Sequence, residues 1–121
     1  MYRLIDYINK EESKYELVES DMKTYRFENE GESLNISITA DGIGIIKDNK
    51  FNKMHLLLSN KTDSKMRIHN KEHDLKATLD VRTVRIENEL PERIRISYDI
   101  LDGEQSVQQI DLEICRWNWK N

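Results

Sequence analysis

Residues 33–40 of the chain have the sequence SLNISITA, in which apolar and polar side chains alternate without interruption. Leu34, Ile36 and Ile38 occupy every second position, and polar residues stand between them. Successive side chains of a β-strand point to opposite faces, so this spacing gives one apolar face and one polar face. The pattern is typical of an antiparallel strand with one face against a core and the other in water.

The same two-residue period recurs in residues 75–81, 94–100 and 110–114. Aspartate–glycine pairs, which favour tight turns, follow two of these strands, at 41–42 and at 102–103. Parallel neighbours would need crossovers of about a dozen residues or more, and the chain has no room for them. We therefore predict a series of antiparallel hairpins.

Weaker patterns complete the strand prediction. Further strands are predicted at Ile43–Lys47, Phe51–Ser59 and Ser64–His69, and around Tyr15–Leu17 and Tyr25–Phe27. Phe51–Ser59 is apolar on both faces near its end, as in a strand covered on both sides. The segment Glu87–Arg93 contains the only proline and is predicted to be a loop. Residues 1–13 suit either a strand or a helix, and we favour a strand.

The apolar period shifts by one residue at two places. After Val81 the next apolar residues are Val84 and Ile86, and after Ile114 the period moves to Cys115. One extra residue in a strand is the mark of a β-bulge, which bends the sheet. We predict an all-β fold: one domain spanning residues 1–121, an antiparallel meander of eight to ten strands rolled into a calycin-like barrel.

Charge and composition narrow the classes of partner. The net charge is −4, and bases and acids are interleaved along most of the chain, which argues against nucleic acid as a partner. No segment approaches the roughly 20 apolar residues that cross a bilayer, so no membrane association is predicted. Cys115 is the only cysteine and excludes an internal disulfide, which fits a reducing compartment. We predict a cytoplasmic protein.

The second half of the chain contains three strand-like segments, SKMRI at 64–68, LKATLDVRTVRIENE at 75–89 and LPERIRISYDI at 90–100. With these segments, residues 54–114 resemble the YwiB-like family. Where that family has a turn of the Thr-Pro-Tyr-Gly type, this chain has NKEHD at 70–74. The resemblance implies a bacterial protein with an eight-stranded, calycin-like barrel of lipocalin type that encloses a small ligand. It implies no known activity and no functional residues.

Three residues are candidates for a ligand site inside the barrel. If the alternation of residues 75–81 continues without a bulge, the side chain of Arg85 lies on the inner face. The side chain of Arg116 likewise continues the inward row of residues 110–114. Tyr98 shares the inner face of the 94–100 strand. An interior arginine beside a tyrosine would bind a carboxylate through charge-assisted hydrogen bonds. The alternative is that both phase shifts are true bulges and that both arginines face water, which we favour.

Other chemistry is weakly supported by the sequence. His69 and His73 have a metal-ligand spacing only if they lie on a helix, and they fall across a predicted turn. No carboxylate sits within an apolar run, where burial would prepare it for acid–base catalysis. No catalytic residue, metal site or cofactor is predicted, and a non-enzymatic role is favoured.

The leading functional prediction is the binding of a small, partly apolar ligand, such as an apolar carboxylate, inside the barrel. The alternative is a protein-interaction module, or a homodimer, that uses the outer face of the sheet or the end that carries Trp117 and Trp119. The two tryptophans are also predicted to cover one mouth of the barrel, which is the interpretation we prefer.

Overall fold

A computed structural model describes residues 2–8, 11–21, 23–59, 63–89 and 92–116. The described residues form ten strands: β1 (Tyr2–Ile8), β2 (Glu11–Asp21), β3 (Thr24–Asn29), β4 (Glu32–Ile38), β5 (Gly42–Asp48), β6 (Asn52–Ser59), β7 (Ser64–Asn70), β8 (Leu75–Glu89), β9 (Arg93–Asp102) and β10 (Gln105–Arg116). No helix occurs in these ranges. The predicted strand at the start of the chain is β1.

The ten strands form one antiparallel sheet that closes on itself. Each strand pairs with its neighbour in sequence, and β1 pairs with both β2 and β10. This arrangement confirms the predicted all-β meander rolled into a barrel. The described residues contain ten strands, whereas the family resemblance implies eight.

The core lies inside the barrel and follows the alternation of the sequence. Leu34 and Ile36 of β4 are almost completely buried, as are Ile94 and Ile96 of β9. Burying one such side chain stabilises a fold by about 1.5–3 kcal/mol. Tyr98 continues the same inward row of β9 and is 2% exposed.

Tight turns join the strands where the sequence predicted them. Asp102 ends β9, and Gly103 adopts a left-handed φ of 65° before β10 begins at Gln105. A glycine adopts this conformation without the steric cost that a side chain brings. The first predicted turn is also present, because the Thr39 backbone N–H donates to the Gly42 carbonyl at 2.9 Å.

The first predicted bulge is present in β8. Thr83 pairs with Tyr98 and Arg85 pairs with Ser97, so Val84 is the extra residue. Its side chain is 54% exposed. Because the bulge shifts the period by one, the side chains of β8 that follow it point to the opposite face from the one that simple alternation predicts.

The second predicted bulge, after Ile114, is wrong. The pairing of β10 with β9 runs without a shift from Gln108 to Cys115, and the irregularity lies instead between Ser106 and Gln108, next to the hairpin turn. A bulge beside a turn is common at the rim of a barrel. Val107, the extra residue, is itself apolar, so no shift of the apolar period is visible there.

Two further predictions need correction. Leu57 is 59% exposed, so β6 has an inner apolar face and an outer face in water, and it is not covered on both sides. The predicted loop at Glu87–Arg93 is shorter than expected, because β8 extends to Glu89 and pairs there with Arg93 of β9. Residues 90 and 91 lie outside the described ranges.

Candidate functional site

A cavity of about 590 Å³ lies inside the barrel. Its wall is mainly aliphatic and thioether side chains from the inner face, among them Leu34, Ile45, Met66, Leu79, Ile110 and Leu112. It also reaches Lys47 and Asp102, which stand near the ends of β5 and β9. The cavity is therefore nearer the barrel end that carries the turns at 30–31 and 103–104.

The wall of the barrel is incomplete beside this cavity. Leu75 to Leu79 pair with β7, but the described pairing of β8 with β9 begins only at Asp80. The β7–β8 hairpin therefore extends beyond β9. Leu79 lines the cavity on one side of this break, and Val107 lines it on the β10 side. Val107 is 57% exposed, and Leu75, at the start of β8, is 65% exposed, so apolar side chains lie at the surface near this break.

The main polar feature of the cavity is Lys47. It follows Ile43 and Ile45 on the inner face of β5, and its Nζ lies 3.0 Å from Oε1 of Glu32 on β4. The two side chains are only 23% and 24% exposed. Tyr15 of β2 is buried, and its hydroxyl donates to the same Glu32 oxygen at 2.9 Å.

The Tyr15–Glu32–Lys47 cluster holds the charged ammonium group of Lys47 at the edge of the apolar cavity. A half-buried ammonium needs an anionic partner, and Glu32 supplies one. The glutamate is in turn fixed by the tyrosine hydroxyl, so its side chain is held in one place. The cluster can present a hydrogen-bond donor, Lys47, to a polar group on a molecule in the cavity. Gln108 also lines the cavity and offers an amide.

The sequence reasoning did not consider Lys47. The signal was present, because Ile43, Ile45 and Lys47 follow one two-residue period. Lys47 ends a short apolar run, whereas the arginines predicted to bind a ligand follow longer ones. Glu32 could have been found in the same way, two residues before Leu34.

The structure places Arg85 on the outer face of the sheet and not in the cavity, and its role in ligand binding stays a prediction. The bulge at Val84 turns Arg85 to the outer face, where its side chain is 44% exposed. Its Nη2 contacts Ser97 Oγ at 3.5 Å and its Nη1 lies 3.8 Å from Glu87 Oε1. This is the outcome expected if the phase shift is a true bulge.

The other two predicted ligand residues have different outcomes. Tyr98 lies on the inner face of β9 and lines the cavity, while its role in binding stays a prediction. Arg116 ends β10, and its side chain lies outside the described residues. Trp117 and Trp119 also lie outside them. Arg85 and Tyr98 therefore face opposite sides of the sheet and do not form a common site.

Arginines elsewhere on β9 form cross-strand ion pairs on the outer face. Arg93 Nε lies 3.3 Å from Glu89 Oε1, and Arg95 Nε lies 4.0 Å from Glu113 Oε2. Ion pairs at a protein surface contribute roughly 0–1 kcal/mol each.

The histidine pair has a local structural role. His69 Nε2 lies 2.7 Å from Asp74 Oδ1 across the β7–β8 turn, and the Asn70 side chain accepts from the His73 backbone N–H at 3.0 Å. Within the described residues, no group of three or more His, Cys, Asp or Glu side chains could hold a metal ion. Cys115 is half-buried.

Within the same ranges, no helix is long and apolar enough to cross a membrane. Comparison with known proteins gives no match to a protein-family model, to a curated protein or to a solved structure.

Proposed function

We propose that this protein binds a small, mostly apolar molecule inside its barrel. The observation that carries the proposal is the cavity of about 590 Å³ with an apolar wall. Ligand sites in proteins have volumes of about 300–1,000 Å³ and combine apolar walls with a few placed polar groups. The cavity has both properties.

The polar groups indicate what kind of end the ligand carries. Lys47 and Gln108 offer N–H donors at the wall, so an acceptor such as a carboxylate or a carbonyl suits this part of the cavity. The apolar body of the ligand would lie against Met66, Leu79 and Leu112. An apolar carboxylate, the ligand predicted from the sequence, meets both requirements. The relationship to the YwiB-like family and the cytoplasmic location remain part of this proposal.

The test is binding of straight-chain fatty acids, followed by native mass spectrometry and by the shift of the melting temperature. A ligand that binds only the folded state raises the melting temperature. Leu79→Trp, at the cavity wall beside the entrance, should fill the space and abolish the shift. Leu57→Trp, on the outer face of β6, is the matched control and should leave it unchanged. Equal shifts in both variants, or none in the wild type, would contradict the proposal.

A second candidate function is protein interaction, which the free edge of β8 favours. Leu75 to Leu79 have no β9 partner, and an unpaired strand edge can accept a strand from another chain. The exposed side chain of Leu75 adds apolar area at this edge. Sedimentation of the pure protein distinguishes a homodimer formed here from a monomer that binds only small molecules.

A further inference from the structure

A second concave site lies on the outer face of the sheet, across β6, β7 and β8. It has a volume of about 390 Å³. Five basic side chains line it, and we call it the basic groove: Lys53, His55, Arg67, His69 and Lys76. Strand pairing arranges them in two rows, because Lys53 pairs with His69 and His69 with Lys76, while His55 pairs with Arg67.

Three acids around the basic groove already have a basic partner. Asp48 accepts from Lys71, Asp74 from His69, and Asp80 from Lys65 at 2.9 Å. The other four bases of the groove have no hydrogen-bonded acid, although the charges of Lys53 and His55 act electrostatically on Asp48. Within the described residues, no hydrogen bond or ion pair is made by the side chains of Lys53, His55, Arg67 and Lys76.

This grouping is unfavourable in the free protein and favourable with an anion bound. Lysine and arginine side chains are donors only, and like charges on neighbouring strands repel each other. The whole chain is acidic, with a net charge of −4, so a concave site in which four basic side chains lack a hydrogen-bonded acid stands out against the rest of its surface. An anion would supply both the acceptors and the opposite charge.

The spacing of the two rows limits the form of the anion. Neighbouring strands lie about 4.8 Å apart, and alternate residues along a strand about 6.8 Å apart. A ligand with several charged oxygens a few ångströms apart can therefore contact both rows at once. We propose that the basic groove binds a small molecule that carries two or more phosphoryl groups. Thr78, which pairs with Arg67, adds a hydroxyl to the same surface.

The basic groove and the cavity are separate sites. Their linings share only Ile68, a residue of β7 between them. Charged side chains of the groove point to the outer face, whereas the cavity wall is formed by the inner face. A variant that no longer binds an anion in the groove can therefore still be tested for ligand binding in the cavity.

The experiment is a titration with inorganic tripolyphosphate at low ionic strength, followed by amide chemical shifts and calorimetry. We expect shifts confined to β6, β7 and the first half of β8, with affinity that falls as salt is added. The double variant Arg67→Ala/Lys76→Ala should weaken binding about tenfold or more, since each charge-assisted contact is lost. Lys65→Ala/Arg82→Ala removes the same charge from exposed positions of the same sheet outside the groove, and should change affinity by less than about twofold.

Further arms identify the ligand and can overturn the proposal. ATP that binds as tightly as tripolyphosphate shows that the phosphate chain suffices, and tighter binding shows that a nucleoside adds contacts; both outcomes support the site. Absence of shifts on β6–β8, or equal losses in the two double variants, overturns it. So does a preference for a single-stranded oligonucleotide over both small ligands. Fatty-acid binding is measured on the same variants and should be unaffected, so failure of the groove stays distinct from failure of the cavity.

Discussion

At the scale of single residues, the close approach of two strands at Gly42 makes glycine necessary there. Gly42 is buried at the start of β5, and a Cβ added to it would lie 1.8 Å from the carbonyl oxygen of Leu58. That oxygen belongs to the backbone and cannot turn away. Gly44, two residues later on the same strand, has only an ordinary contact of 3.6 Å with the Ser37 Cβ.

We therefore expect Gly42→Ala to destabilise the protein by about 1–3 kcal/mol or more, because the strands must separate to admit a methyl group. Gly44→Ala, the control, should change stability by less than about 1 kcal/mol. Urea unfolding followed by circular dichroism measures both values. Similar costs for the two variants would show that β5 and β6 do not approach closely at Gly42.

A second residue-scale prediction concerns Asp48 and acid. The hydrogen bond from the Lys71 ammonium, aided by the charges of Lys71, Lys53 and His55, holds the pKa of Asp48 below its ordinary value. A carboxyl group with a lowered pKa in the folded state stabilises the fold above its unfolded pKa, and this contribution is lost as the pH falls through the folded pKa.

Asp48→Asn should consequently be less stable than the wild type at pH 7, and the difference should begin to shrink near pH 4 and vanish only below the lowered pKa of Asp48 in the folded state. The effect should be below about 1 kcal/mol, because Lys71 and Asp48 side chains are 37% and 35% exposed. Urea midpoints across the pH range measure it. Lys71→Gln should show the same pH dependence, and a difference that persists in acid would contradict the assignment.

At the scale of strands, the bulge at Val84 sets which side chains of β8 face the core. Before it, Val81 is completely buried, and after it Ile86 is inward while Arg85 is outward. The sequence predicted this feature because its apolar period slips there. It did not determine which face of the sheet Arg85 occupies, because the local pattern of apolar residues fits either face.

Deletion of Val84 removes the extra residue, so Arg85 can still pair with Ser97 and Ile86 can stay inward, but the bend that the bulge gives to β8 is lost. We expect a lower melting temperature with a transition that stays cooperative. Val84→Thr is the control: the side chain is 54% exposed, so the change should stay within about 0.5 kcal/mol. A deletion variant as stable as the wild type would show that the bulge is dispensable.

The strands themselves were largely predictable, and the site was not. Strict alternation in β4 and β9 fixes the inner face locally, so Leu34 and Tyr98 were expected inside. Lys47 and Glu32 meet across two strands, and their contact depends on a register that local patterns do not contain. The exposure of Leu57 was missed because three consecutive leucines conceal the period.

At the scale of the whole molecule, the cavity and its entrance result from unequal strand lengths. Strand β8 continues past the end of β9, and the cavity lies beside Leu79 at this place. Sequence periodicity describes single strands and carries no information about how far one extends beyond its neighbour. A filled barrel and a hollow one can therefore share the same alternation.

The pairing of β1 with β10 has a consequence for the order of folding. All other neighbours in the barrel are successive hairpins, whose ends are close in sequence and meet at low entropic cost. Leu4 and Ile114, which pair across this joint, are separated by nearly the whole chain. On the ribosome, the early hairpins can assemble as they emerge, but β1 cannot pair with β10 until β10 has been synthesised. Until then β1 is a nascent strand with one open side, and this is the interval in which the chain is most exposed to mispairing with another copy of itself.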